Sequence, residues 1–149
     1  MKTWSLTVFV LLLSLFSKAQ IIATVQMKEK VEGICDHDNV FSLFDGFDNQ
    51  VEPKCSVSKE QMQEQLNQVQ FLKDTPKFKG KGMVGVYINC EGEALGWRIS
   101  VKTVKELDEQ LLNVFRTYGE WTSGTFRGEN VDCSELISYK IKKGKLIIN

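Results

Sequence analysis

The chain has 149 residues, of which 42% are hydrophobic and 26% charged, with 19 basic and 19 acidic side chains. That length holds one domain with a core of ordinary size, plus at most a short appendage. A formal net charge of zero leaves no surplus of Lys and Arg to neutralise phosphates, so composition does not point to a nucleic-acid partner.

The first twenty residues differ in kind. Lys2 supplies a short positive start, Trp4 to Phe16 form an apolar run, and Ser17 and Ala19 put small residues before a cut after Ala19. The run is short against the roughly 20 apolar residues of a spanning helix. No Cys follows it for lipid modification. The pattern predicts a secretory signal at residues 1–19, cleaved to give a mature chain beginning near Gln20, and a periplasmic or secreted location. Cleavage removes Lys2, Lys18 and no acid, leaving the mature chain near −2. Export makes Cys35, Cys55, Cys90 and Cys133 an even set in an oxidising compartment, where disulfides are the default.

Residues 20–57 read as an irregular N-terminal segment stapled by disulfides. Ile21 to Val31 alternates imperfectly as one strand. Phe41, Phe44 and Phe47 recur every third residue, which suits a single helical turn on a core, ended by Gly46. The acids here fail the spacing of an EF-hand loop starting at Asp36, because Val40, Phe41 and Phe47 stand where the loop needs a polar residue, Gly and Glu. A looser oxygen site from Asp36, Asp38 and Asp48 is rarer than solvated turn carboxylates. Cys35, His37 and Cys55 match no structural zinc spacing. No metal or cofactor is expected.

Ser58 with Gln61 makes a capping box for a helix whose Met62, Leu66, Val69 and Leu72 fall on one face. Pro76 and a Gly80-Lys81-Gly82 turn end it. A strand follows, with Val84, Val86 and Ile88 on one face, then a Cys90-Glu91-Gly92-Glu93 turn. In the return strand Leu95, Trp97 and Ile99 share a face. Thr103 with Glu106 caps a helix over 104–118, striped by Val104, Leu107, Leu111, Val114, Phe115 and Tyr118. The last strand runs from Leu136 to Ile141, and Lys143-Gly144 can turn it back onto Leu146-Ile147-Ile148. Trp97 reads as core; Trp121 is open between core and surface.

This order of elements resembles the C-terminal domain of TonB, over residues 58–149. The matching positions are Gly80 and Gly82, the Glu91-Gly92 hairpin, Leu107 and Val114, Trp121 and Gly124, and Gly128 with Val131. The resemblance implies an α+β fold of α-β-β-α-β outline, and an extended peptide of an envelope protein bound along the exposed last strand. The leader ending in Lys-Ala-Gln is similar to exported proteins of the Bacteroidetes type. An energy transducer needs an uncleaved anchor and a Pro-rich spacer, whereas this chain holds only Pro53 and Pro76. The resemblance therefore implies a stand-alone exported module.

A right-handed crossover gives a small antiparallel sheet of order 2-1-3, packed on two helices. That order brings Cys90 and Cys133 to one end of the sheet. The expected disulfides are Cys90–Cys133 and Cys35–Cys55. It also leaves Glu135, Leu136, Ile137, Ser138, Tyr139, Lys140, Ile141 and Lys142 as an edge for strand addition. With one His, oxidised cysteines and no phosphate cradle, no enzyme, no small-molecule substrate and no cofactor are expected. The alternatives are a small secreted structural domain without a peptide groove and, last, an enzyme using His37 and Cys35.

Overall fold

The computed structural model describes residues 22–27 and 29–149. The leader expected at residues 1–19 lies outside the described residues. In the N-terminal segment β1 (Ala23–Val25) pairs antiparallel with β2 (Val40–Ser42), and β3 (Gln50–Val51) and β4 (Lys54–Cys55) follow. Among the described residues the strand expected over 21–31 is confined to three, and the expected helical turn is absent. Phe41 belongs to β2, while Phe44 and Phe47 sit exposed and edge-to-face at 6.0 Å around a turn in which Gly46 takes φ +91°. A spacing of three fits a strand leading into a turn as readily as a helix.

α1 (Lys59–Leu66) starts at Ser58, whose hydroxyl accepts from the Gln61 N–H while the Gln61 side chain accepts from the Ser58 N–H. The single helix expected up to Leu72 stops here, and α2 (Gln70–Asp74) begins after Val69. The break has a cause in Asn67. Its Nδ2 donates to Gln63 O at 2.7 Å and Leu146 O at 2.9 Å, and its Oδ1 accepts from Leu146 N at 2.8 Å. A side-chain amide thus stands in for one residue of a neighbouring strand. The Gly80-Lys81-Gly82 turn is also not formed, because these residues open β5 (Gly80–Ile88). Gly82 is needed there, since a Cβ would collide with the Tyr139 ring.

β6 (Ala94–Val101) pairs antiparallel with β5 through two register shifts. Gly96, at φ +59°, lies in the first of them. The bulge turns Leu95 to the face of Tyr87, Ile34 and Val40, away from Trp97 and Ile99. The shared face expected for these three is therefore split, because an extra residue inverts the alternation. Trp97 does pack in the core, 5.5 Å from the Phe115 ring and 6.2 Å from that of Trp121. α3 (Lys105–Phe115) buries Leu107, Leu111 and Phe115. Its cap is Val104, without a side-chain bond; Thr103 instead donates its N–H and hydroxyl to the buried Asp108 carboxylate one turn on. The capping box expected from Thr103 and Glu106 is thus replaced.

The Trp-Gly loop folds into β7 (Trp121–Thr122), β8 (Gly124–Phe126) and β9 (Glu129–Val131), and these pair with β4 and β3 as well as with each other. β10 (Cys133–Lys142) lies beside β5, and β11 (Lys145–Ile148) folds back on it. Among the described residues the result is a mixed α+β fold with three helices and a six-stranded sheet ordered β1-β2-β10-β5-β6, with β11 also on β10. The sheet is not purely antiparallel: β2 joins β10 in parallel at Phe41 and Cys133. One face, through Val84, Tyr139 and Ile141, packs on the helices. The other is covered at its Tyr87 end by Ile34, Val40, Val31 and Met27. The N-terminal segment is therefore part of the sheet and its core rather than a separate stapled loop.

Candidate functional site

Two neighbours share the outer edge of β10. At its start, Phe41 N donates to Asp132 O at 2.9 Å; towards its end, Asn149 N donates to Ser138 O at 3.0 Å. Tyr139, Lys140, Ile141 and Lys142 pair with Ile148, Ile147, Leu146 and Lys145. That corrects the expected eight-residue free edge. The hairpin through Lys143 (φ +52°) and Gly144 (φ +70°) occupies half of it, and Asn67 and Gln63 hold it there by bonding Leu146 and the Ile148 N–H.

Glu135, Leu136, Ile137 and Ser138 remain between these neighbours. Backbone groups alternate along a strand, so even-numbered residues of β10 turn theirs away from β5. Leu136 therefore directs both its N–H and C=O into the gap, where no backbone group of the described residues meets them. Its side chain is 51% exposed. The gap spans about 13 Å along the strand.

A groove of about 220 Å³ lies beneath this gap, lined among others by Pro53, Cys55, Lys59, Met62, Trp121 and Glu135. Glu135 shares its face with Cys133 and Ile137, so a carboxylate lies between two core side chains. Burial, and then the carboxylate of Glu52, push its pKa up to about 7; the adjacent Leu136 N–H opposes this, and Asp45 adds to it. Cys55 carries a free, half-buried thiol in the same groove, its pKa raised by burial. Trp121, open from sequence, is half-buried with its indole N–H donating to Tyr118 O at 2.9 Å.

At the far end of β5 the cysteines pair differently from expectation. Cys35 bonds to Cys90, with Cα atoms 6.2 Å apart, and Cys55 and Cys133 are free. The expected pairs Cys90–Cys133 and Cys35–Cys55 are therefore both wrong. Cys133 points into the core from β10, and its thiol donates to Ile88 O at 3.6 Å. Residues 35 and 36 are drawn to the end of β5 by Asp132, a 2% exposed carboxylate that accepts from the N–H groups of Cys35, Asp36 and Cys90. Among the described residues, Cys35, Cys90 and Asp132 are the one trio of possible metal ligands within 4.8 Å, and the two sulfurs are joined to each other. The Cys35 and His37 nucleophile of the enzyme alternative is not assembled: Cys35 is oxidised, and His37 Nε2 meets Val31 O at 3.0 Å. Asp36 spends its oxygens on Asp38 N and Asn39 Nδ2, local turn bonds.

Asp132, Pro53 and Lys59 carry no site signal in the sequence. Glu135 does: it sits in phase with Ile137, Tyr139 and Ile141 once the strand is extended back to Cys133. Comparison with known proteins finds no matching family model, curated protein or solved structure.

Proposed function

We propose that this protein is an exported binding module that takes an extended segment of an envelope protein at the open part of the β10 edge, Glu135 to Ser138. The observation that carries this reading is the interruption in the hydrogen-bonded row between Phe41 and Asn149, placed directly above a groove. A guest backbone satisfies Leu136 N–H and C=O, and its alternate side chains enter the groove or lie against the sheet's outer face. Glu135 keeps the edge closed to chance pairing, since an inward-pointing charge is a common guard of open strands. The Cys35–Cys90 disulfide fits an oxidising compartment. The run from α1 through β5, β6 and α3 to β10 supports a TonB C-terminal-like outline of order 2-1-3, extended by β1, β2 and β11. The gap admits only about four guest residues, which favours a short segment.

Leu136→Pro tests this. Proline removes the outward donor and is tolerated at an edge position. The folded variant loses capture of the envelope partner that the wild type retains from envelope extract under non-reducing conditions. Wild-type capture by folded Leu136→Pro protein would mean that the edge is not the binding site, and leaves the secreted structural domain as the reading.

A further inference from the structure

The lysines of three strands meet on one part of the sheet. Lys140 stands directly opposite Lys81, and Lys142 directly opposite Lys145. These side chains lie on the face turned away from the helices, since their neighbours Tyr139 and Ile141 face the helical core. Lys79, Lys81, Lys140 and Lys142 line a depression of about 370 Å³ with Gly80 and Ile141, and no acidic side chain lines it. Like charges directly opposite one another weaken a ladder. Two such pairs side by side leave an unbalanced cationic surface on a chain whose formal net charge is zero.

The same face carries apolar groups that no element of the described residues covers. Leu136 is 51% exposed and Val101, paired with Met83, is 45% exposed. Ile147 lies opposite Lys140. Arg98 adds a guanidinium stacked 4.2 Å over the Tyr87 ring, and its buried Nη1 has no hydrogen-bond partner.

We propose that this face docks on an anionic membrane surface, with the lysine ammonium groups on lipid phosphates and Leu136 and Val101 in the headgroup boundary. A sheet face that is cationic and dotted with aliphatic side chains matches a lipid surface; a single-stranded nucleic acid would call for aromatic rings to stack on. The rest of the molecule fits that orientation. Asp36, Glu91, Glu93 and Asp132 gather at the opposite end of β5, about 30 Å away along nine residues. That distance is several Debye lengths at physiological salt, so their repulsion from the membrane is screened while the lysines make contact. Leu136 serves both sites with different atoms: its backbone meets the guest segment, its side chain the lipid.

Co-sedimentation with vesicles tests this, using the full chain in every variant so that residues 4–16 contribute equally. Wild type binds phosphatidylcholine vesicles containing about 30% phosphatidylglycerol more tightly than phosphatidylcholine alone, and the difference disappears in high salt. Lys81→Glu makes a cross-strand ion pair with Lys140, keeps the fold and lowers anionic-vesicle binding about fivefold or more. Val101→Ser lowers vesicle binding but leaves binding to soluble polyphosphate unchanged, which separates a membrane from free phosphate. Equal binding of wild type and Lys81→Glu to anionic vesicles overturns the proposal. So does a chain that binds polyphosphate or DNA through these lysines yet ignores vesicle charge. Neither readout depends on capture of a peptide partner, so this proposal and the peptide reading can fail separately.

Discussion

The two ends of the β5–β10 ladder are built on opposite terms. At the Ile88 end, buried polar groups find partners. Asp132 accepts three backbone N–H groups, and the Asn89 side chain accepts from Glu91 N and Glu93 N while donating to Gly33 O and Glu93 Oε2. A disulfide then ties the N-terminal segment to the turn. At the Gly80 end, lysines oppose lysines. Between the two lies the stretch of β10 edge that has no backbone neighbour among the described residues. Polar groups and a disulfide tie one end together, while the other keeps like charges side by side, a feature that costs stability. Such features persist where a surface is kept for contact with something else.

The largest expected effect lies at the crosslinked end. Cys35→Ser combined with Cys90→Ser opens a loop whose ends are 55 residues apart, and removing such a link costs about 4 kcal/mol on the chain-entropy account. Urea unfolding measures it as a fall in midpoint. A change below about 1 kcal/mol would mean that Asp132 holds the knot without the sulfur bond.

Glu135 gives the next effect, and its sign is specific. Below its ordinary value of 4.5 both folded and unfolded chains carry the proton, and the residue costs nothing. Between 4.5 and about 7 the unfolded chain releases the proton first, so stability falls as pH rises; above about 7 the penalty is constant. Glu135→Gln removes this slope and raises stability at neutral pH by about 1 kcal/mol, a figure that allows for solvent screening at a half-buried site. Parallel stability-versus-pH curves for the two proteins between pH 4 and 8 would show that Glu135 is not held against the core.

The smallest effect is at the lysine end. Lys81→Glu turns a repulsive cross-strand pair into an attractive one and stabilises the fold by about 0.5 kcal/mol. A destabilised variant would mean that the ammonium groups at this end are already balanced.

Much of the ladder was legible in the sequence. The alternation of Val84, Val86 and Ile88 placed β5, the apolar stripe from Leu107 to Phe115 placed α3, and Ser58 with Gln61 placed the start of α1. The rest depends on pairings that local pattern does not record. Gly96 gives no sign that it hosts a bulge, and without the bulge Leu95 is put on the wrong face. Asn67 reads as one more polar helix residue until Leu146 comes alongside it. The disulfide is not legible because residues 20–57 read as a separate loop, whereas Asp132 carries Cys35 to Cys90. Zero net charge hid the lysine face, since only the register of β5, β10 and β11 sets Lys81, Lys140, Lys142 and Lys145 side by side. Half of the expected edge was lost to the hairpin that Lys143-Gly144 had made possible.

Amide hydrogen exchange at Leu136 in the free protein is the most direct test of an edge open to a guest. The account predicts that this N–H exchanges fast, while the N–H groups of Ile137 and Tyr139, turned towards β5, and of Leu146, bound by Asn67, are protected. Protection of Leu136 equal to that of Ile137 would show that the gap is already filled, and would contradict strand addition at β10.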